Sequence, residues 1–147
     1  MADIVGRFNQ DMVVVYLLQE PYVAYGQVCG LGNGLSVYYI GEWPKAAIAV
    51  RKGVCDVVLR CELSNECMCV VNISLEGRDL LLASSYCQHG GDIELDIDYI
   101  RRIVQRADRV PLLVGLDANA TSLAWHSKNL QAAQDIPYWL TISLRAN

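Results

Sequence analysis

No run in this chain reaches the ~18 uninterrupted apolar residues that a membrane span needs. A membrane protein of the helical kind is therefore not expected. The opening residues, Met1 to Arg7, lack a basic stretch followed by an apolar block, so a secretory signal is not evident. Basic residues are also scarce: 12 Lys and Arg stand against 16 Asp and Glu, a net charge of −4. That is not the footprint of a protein that grips nucleic acid by charge alone. It leaves room for an enzyme acting on phosphates through a metal, because metal-binding carboxylates make such a site acidic. No internal repeat is visible.

What is present suits one domain. The chain has 147 residues, 53% of them hydrophobic, which is ample for a single core. Six cysteines stand at positions 29, 55, 61, 67, 69 and 87. Without a secretory signal they are expected to be free thiols. Cys67-Met68-Cys69 lacks the spacing of a zinc pair, and no His lies nearby to complete a tetrahedral set, so these read as small strand residues. Asn72-Ile73-Ser74 matches a glycosylation acceptor, which only a secreted chain would use.

Met12 to Leu18 is a continuous apolar run with three valines and reads as a buried strand. It ends in Gln19-Glu20-Pro21-Tyr22, where Pro21 stops the ladder and leaves Glu20 on a strand-end rim. Gly26 to Gly34 reads as a surface loop. Its glycines lack the full spacing, the Lys and the following helix of a phosphate cradle. Further strands are expected at Ala46 to Val50, after Trp43-Pro44, and at Val54 to Glu62, Cys67 to Ser74 and Asp79 to Tyr86. Short turns between the last three favour antiparallel pairing.

Asp92 to Arg106 is the clearest helix. Ile93, Ile97, Ile100, Val104 and Ala107 step by four and three and should share the buried face, with Arg101 and Arg102 exposed. Asp92 suits the N-cap, while Glu94 and Asp96 suit the positive helix end. These acids need no catalytic explanation. The helix leads into Pro111 to Gly115, a short buried strand, which hands over to Leu116-Asp117-Ala118-Asn119-Ala120.

Functional groups in α/β sheets collect just past the carboxyl ends of strands. Asp117 and Asn119, two residues apart, point to the same side. A carboxylate and an amide on one rim can hold a water and a charged oxygen together; the plainer alternative is an Asp/Asn turn. Ser84-Ser85-Tyr86 is another polar strand end, where Tyr86 either bonds a phosphate oxygen or packs its ring. After Ser127 the pattern fades: 131–134 is weakly helical, and 136–140 is a strand start or an apolar tail.

The three strand ends, Gln19-Glu20-Pro21-Tyr22, Ser84-Ser85-Tyr86 and Gly115-Leu116-Asp117-Ala118-Asn119-Ala120, occur in this order with Trp125-His126-Ser127 behind them. Together they resemble the endonuclease/exonuclease/phosphatase (DNase I-like) superfamily. Within it they are most similar to the apurinic-type endonuclease domain of non-LTR retrotransposons. Trp43 to Val50 and the helix feeding the Gly115 strand add to the resemblance, which covers roughly residues 11–128.

The resemblance implies an α/β fold: part of a four-layer sandwich with mixed, mostly antiparallel sheets. It implies a Mg²⁺-dependent DNA endonuclease that nicks a target duplex, a reverse transcriptase domain in the parent element, and a nuclear site of action. Glu20 would hold Mg²⁺, Tyr86 would contact the scissile phosphate, and Asp117 would orient or deprotonate the attacking water. Asn119 would hold the phosphate and its developing charge. His126 belongs to the Trp-His-Ser motif and is not the catalytic His. Members also carry an Asn-bearing strand and a helix ahead of the Glu, and a closing Ser-Asp-His set. Here 19 residues precede Glu20, and the 19 after Lys128 contain no His and only Asp135 as an Asp. A domain shortened at both ends, with a divergent tail at 129–147 and impaired cleavage, is therefore expected. The rival readings are an inactive relic or binding module, and another phosphodiesterase or phosphatase of the superfamily.

Overall fold

Period-two alternation along apolar strands builds a sandwich here. The computed structural model describes residues 14–88, 90–118 and 141–142. The first sheet contains β1 (Val15–Gln19), β4 (Leu35–Tyr38), β5 (Ala46–Arg51) and β10 (Thr141–Ile142), in the order β10-β1-β5-β4 and antiparallel throughout. The second contains β6 (Asp56–Leu59), β7 (Met68–Leu75), β8 (Arg78–Tyr86) and β9 (Leu112–Asp117), in chain order. Its first three strands form an antiparallel meander, while β8 and β9 run parallel. A parallel pair needs a long crossover, and helix α1 (Ile93–Ala107) supplies it.

The inner faces meet through Val15 and Leu17 of β1, Ala46, Ile48 and Val50 of β5, Cys69, Val71 and Ile73 of β7, and Leu82 of β8. Each fully buried Val, Leu or Ile contributes roughly 1.5–3 kcal/mol. The alternate residues point outward. Met68, Val70, Leu81 and Ala83 receive Ile103 and Ala107 of α1. On the far side, Tyr16, Leu18, Ala47 and Ala49 are covered by Leu35 and by the half-buried Val28 and Leu31. The layers are thus helix, sheet, sheet and a covering loop, and the fold class is α/β as expected.

Three expectations need correction. The stretch from Gly26 to Gly34 is not only a surface loop. Its start belongs to a small hairpin, β2 (Val23–Ala24) with β3 (Gln27–Val28), turned by Tyr25 and Gly26, both at positive φ. The strand expected across Val54 to Glu62 stops at Leu59 and passes into a 3-10 turn, Cys61–Leu63.

The third correction concerns α1. Asp92 does cap it, accepting from the Glu94 N–H at 3.0 Å, and Arg101 and Arg102 are exposed. The buried stripe, however, is Ile103 and Ala107, with Ile100 and Asp96 half-buried, while Ile97 and Val104 face outward at 36% and 55% exposure. The stripe is rotated by roughly 60° from the expected one, at 3.6 residues per turn. The sequence holds two overlapping apolar stripes that share Ile100 and Ala107. The sheet takes the one containing Ile103. The side chain of Ile93 lies outside the described residues, as do Asn119, the Trp125-His126-Ser127 motif and residues 129–140.

Candidate active site

Five strand ends, those of β1, β5, β7, β8 and β9, meet at one edge of the sandwich. The β1–β5 register sets Gln19 opposite Ala46, so Glu20 and Lys45 lie side by side, and the Glu20 N–H donates to the Lys45 carbonyl at 2.8 Å. The Lys45 N–H donates to the Glu66 carbonyl at 2.6 Å, tying this end of the first sheet to the entry of β7. In the second sheet the parallel register sets Tyr86 opposite Asp117. The Tyr86 N–H donates to the Cys67 carbonyl and the Cys87 N–H to the Asp117 carbonyl, at 2.9 and 2.8 Å.

Gln19 locks the two sheets together. It is buried, and its amide donates to Ser84 Oγ at 3.0 Å and to the Gly115 carbonyl at 3.3 Å. Ser84 Oγ donates in turn to the Leu18 carbonyl at 2.9 Å. The residue after Gln19, the residue two after Ser84 and the residue two after Gly115 are Glu20, Tyr86 and Asp117. One polar bridge thus positions the ends of β1, β8 and β9. The structure brings Glu20, Tyr86 and Asp117 to one rim; Asn119 is outside the described residues.

Their surroundings differ. Glu20 is exposed and holds φ at 46°, a left-handed backbone uncommon outside glycine. Its carboxylate pairs with the Lys45 ammonium at 3.7 Å. The same ammonium lies 6.0 Å from the centre of the Tyr86 ring, and Tyr86 is buried. Lys45 therefore stands between two hollows. One, of about 520 Å³, is lined by Glu20, Pro21, Tyr22, Trp43 and Lys45 among others. The other, of about 410 Å³, is lined by Glu66, Cys67, Tyr86, Asp96 and Tyr99 among others.

Burial and neighbouring acids act together on the rim thiols. Burial, with the hydrogen bond and charge of Asp96 and the charge of Asp117, pushes the Cys87 thiol up to about 11, against a lowering hydrogen bond from Ser85. Burial also raises Cys67, helped by Asp96 and Glu66 and opposed by Lys45. Among the described residues no group of three or more His, Cys, Asp or Glu side chains is placed to hold a metal ion. Mg²⁺ needs less, since one or two carboxylates with several waters suffice. The exposed Glu20 meets that minimum, with Lys45 as its present counter-ion.

No family model matches the chain. The 115 kDa protein of the type-1 retrotransposable element R1DM of Drosophila melanogaster is 32% identical over 124 residues. That match covers 83% of this chain, which spans 12% of the relative's length. Among solved structures, the endonuclease domain of TRAS1, a telomere-specific non-LTR retrotransposon, superposes with a TM-score of 0.71 at 28% identity. It covers 90% of this chain and 60% of that one. This chain resembles the endonuclease domains of non-LTR retrotransposons. The resemblance holds in sequence and in fold alike, and the fold is of the DNase I-like α/β kind.

Sequence reasoning quoted Gln19 and Ser84 within the strand-end motifs but gave them no role of their own, and it did not single out Lys45. Gln19 had a signal. It continues the inward alternation of Val15 and Leu17, and a polar residue on an inner face must find a partner. Ser84 continues the alternation from Leu82 in the same way. Lys45 had none, since only the β1–β5 register brings it beside Glu20.

Proposed function

We propose that this chain carries the phosphodiester-cleaving rim of a Mg²⁺-dependent endonuclease that nicks target DNA for a retrotransposon. The observation that carries the reading is the meeting of Glu20, Tyr86 and Asp117 at one edge of a fold shared with the TRAS1 endonuclease domain. Phosphodiester hydrolysis needs an activated water, a cation for the charge building on phosphorus, and donors around it. Glu20 would hold Mg²⁺, whose chemistry when bound is to offset that charge. Asp117 would orient the attacking water and accept its proton. Tyr86 would contact the scissile phosphate, and Asn119 the same phosphate and its developing charge. The partners in this reading are a target-site duplex and the reverse transcriptase domain of a parent element, acting in the nucleus.

The test is nicking of supercoiled plasmid by purified protein with Mg²⁺, beside Asp117→Ala. Weak nicking by the wild type that disappears in the variant supports the reading together with the impairment expected of this chain. Robust nicking that disappears in the variant supports the reading but overturns the impairment. Equal nicking by both would show that the cleavage does not run through this rim.

A further inference from the structure

We infer that Lys45 is a phosphate-contacting residue, stored against Glu20 in the free protein and transferred to a backbone phosphate of DNA when a duplex docks. The inference rests on the endonuclease reading for its ligand but stands on its own geometry. A chain of net charge −4, with Glu20, Glu66, Asp96 and Asp117 around the rim, repels a polyanion at short range. Among the described residues Lys45 is the one Lys or Arg that lines either hollow. Its backbone is clamped on both sides, by Glu66 through its N–H and by Glu20 through its carbonyl. The root of the side chain is thus fixed while the four-carbon arm is free to swing.

The ammonium is near both Glu20 and Tyr86. It is 3.7 Å from the Glu20 carboxylate and 6.0 Å from the Tyr86 ring centre, and the side chain is 49% exposed. An exposed pair of this length is weakly held, so exchanging the carboxylate for a phosphate oxygen meets little resistance. The exchange also strips the counter-ion from Glu20 as substrate arrives, leaving that carboxylate open to a cation. Lysine suits the task as a compact charge on a flexible stem.

The experiment is binding of a fluorescent duplex in EDTA, by anisotropy, between about 50 and 200 mM salt. One phosphate contact contributes ~0.9 to the slope of log K against log salt, which is about eightfold in affinity at 0.1 M relative to 1 M. Lys45→Met is expected to lose that slope increment and that affinity, equally across sequences, and Lys45→Arg to restore them. Lys52→Met is the control. It removes the same charge beyond the opposite end of β5, where Lys52 bonds the Asn33 carbonyl at 2.9 Å, and should leave the slope unchanged. Glu20→Gln releases the stored ammonium and should tighten binding. A wild-type slope in Lys45→Met, an equal fall in Lys52→Met, or weaker binding by Glu20→Gln would overturn the inference. Lys45-dependent binding without nicking would sink the cleavage reading alone. Nicking with a Lys45-independent slope would sink this inference alone, and no binding by the wild type would sink both.

Discussion

Replacing Gly115 by alanine tests how the rim is held. A Cβ there would lie 2.7 Å from Leu17 Cδ1 and 3.2 Å from Leu17 Cβ. Carbon atoms pack at about 3.5–4.0 Å, so the methyl overlaps a fixed atom of the neighbouring sheet as well as a movable tip. Gly115 is not among the positive-φ residues; glycine is needed for room. Leu17 is 2% exposed and has nowhere to retreat. Overpacking of this kind costs roughly 1–3 kcal/mol. Relief by moving β9 outward stretches the 3.3 Å bond from Gln19 to the Gly115 carbonyl, worth a further ~0.5–1.5 kcal/mol. A loss of about 1.5–4.5 kcal/mol is expected from these two contributions. With an m-value of ~2 kcal/mol per molar, the urea midpoint should fall by about 1–2 M. Leu17→Ala alone should also destabilise by ~2–5 kcal/mol, but the double variant should lose less than the sum, because the clash is gone. An unchanged midpoint for Gly115→Ala, or strict additivity in the double variant, would refute the argument.

Two other outcomes follow from burial. Ile103→Ala should cost about 2–5 kcal/mol in chemical denaturation, because Ile103 is 1% exposed between α1 and the second sheet. Ile97→Ala should stay within about 0.5 kcal/mol, as surface changes do; equal losses would mean that α1 is rotated from the orientation described. The buried thiols should make the protein sensitive to alkali. Burial raises Cys69 to about 12 and, with Asp96, Cys87 to about 11, from 9.0. Above about pH 9 the unfolded chain sheds protons that the folded chain keeps, so stability is full below that pH and is lost as pH rises toward the folded values. Urea midpoints should fall between about pH 8.5 and 10.5 and fall less in Cys69→Ala. A flat wild-type profile would contradict the assigned burial.

The elements most legible in the sequence were those whose signal is local. β1, β5, β7, β8 and β9 are apolar runs closed by Pro21, Gly53, Gly77 or a switch to polar residues. α1 is announced by Asp92 and by its basic end. β4 was missed, because Leu35–Tyr38 follows a glycine-rich stretch and is half-polar, and its strand character comes from pairing with β5. The rotation of α1 was illegible for another reason. Two apolar stripes lie side by side on the helix, and only the shape of the sheet beneath chooses between them. At the rim, Glu20, Tyr86 and Asp117 could be nominated because each ends a readable strand. That they lie together depends on pairings 65 and 96 residues apart in the chain, which no short window of sequence displays.

Under the proposed function, the polar bridge is what aims the reacting groups at this edge. An inner face of a sandwich is ordinarily closed by apolar side chains, and a buried amide there is costly unless its bonds are met. Gln19 and Ser84 depart from that pattern at the last inward position before the rim, and the bonds among Gln19, Ser84, Leu18 and Gly115 are made. Apolar contacts would hold the sheets at a distance but would tolerate sliding, because dispersion has little directionality. Hydrogen bonds weaken steeply with angle, so this bridge fixes the register of β1 against β8 and β9 as well as their spacing. Cleavage of a phosphodiester is sensitive to that register, since a misplacement of about 1 Å between reacting groups costs on the order of a hundredfold in rate. On the proposed function, the amide one residue before Glu20 is therefore part of the aiming of Glu20 and Asp117 rather than a tolerated flaw in the core.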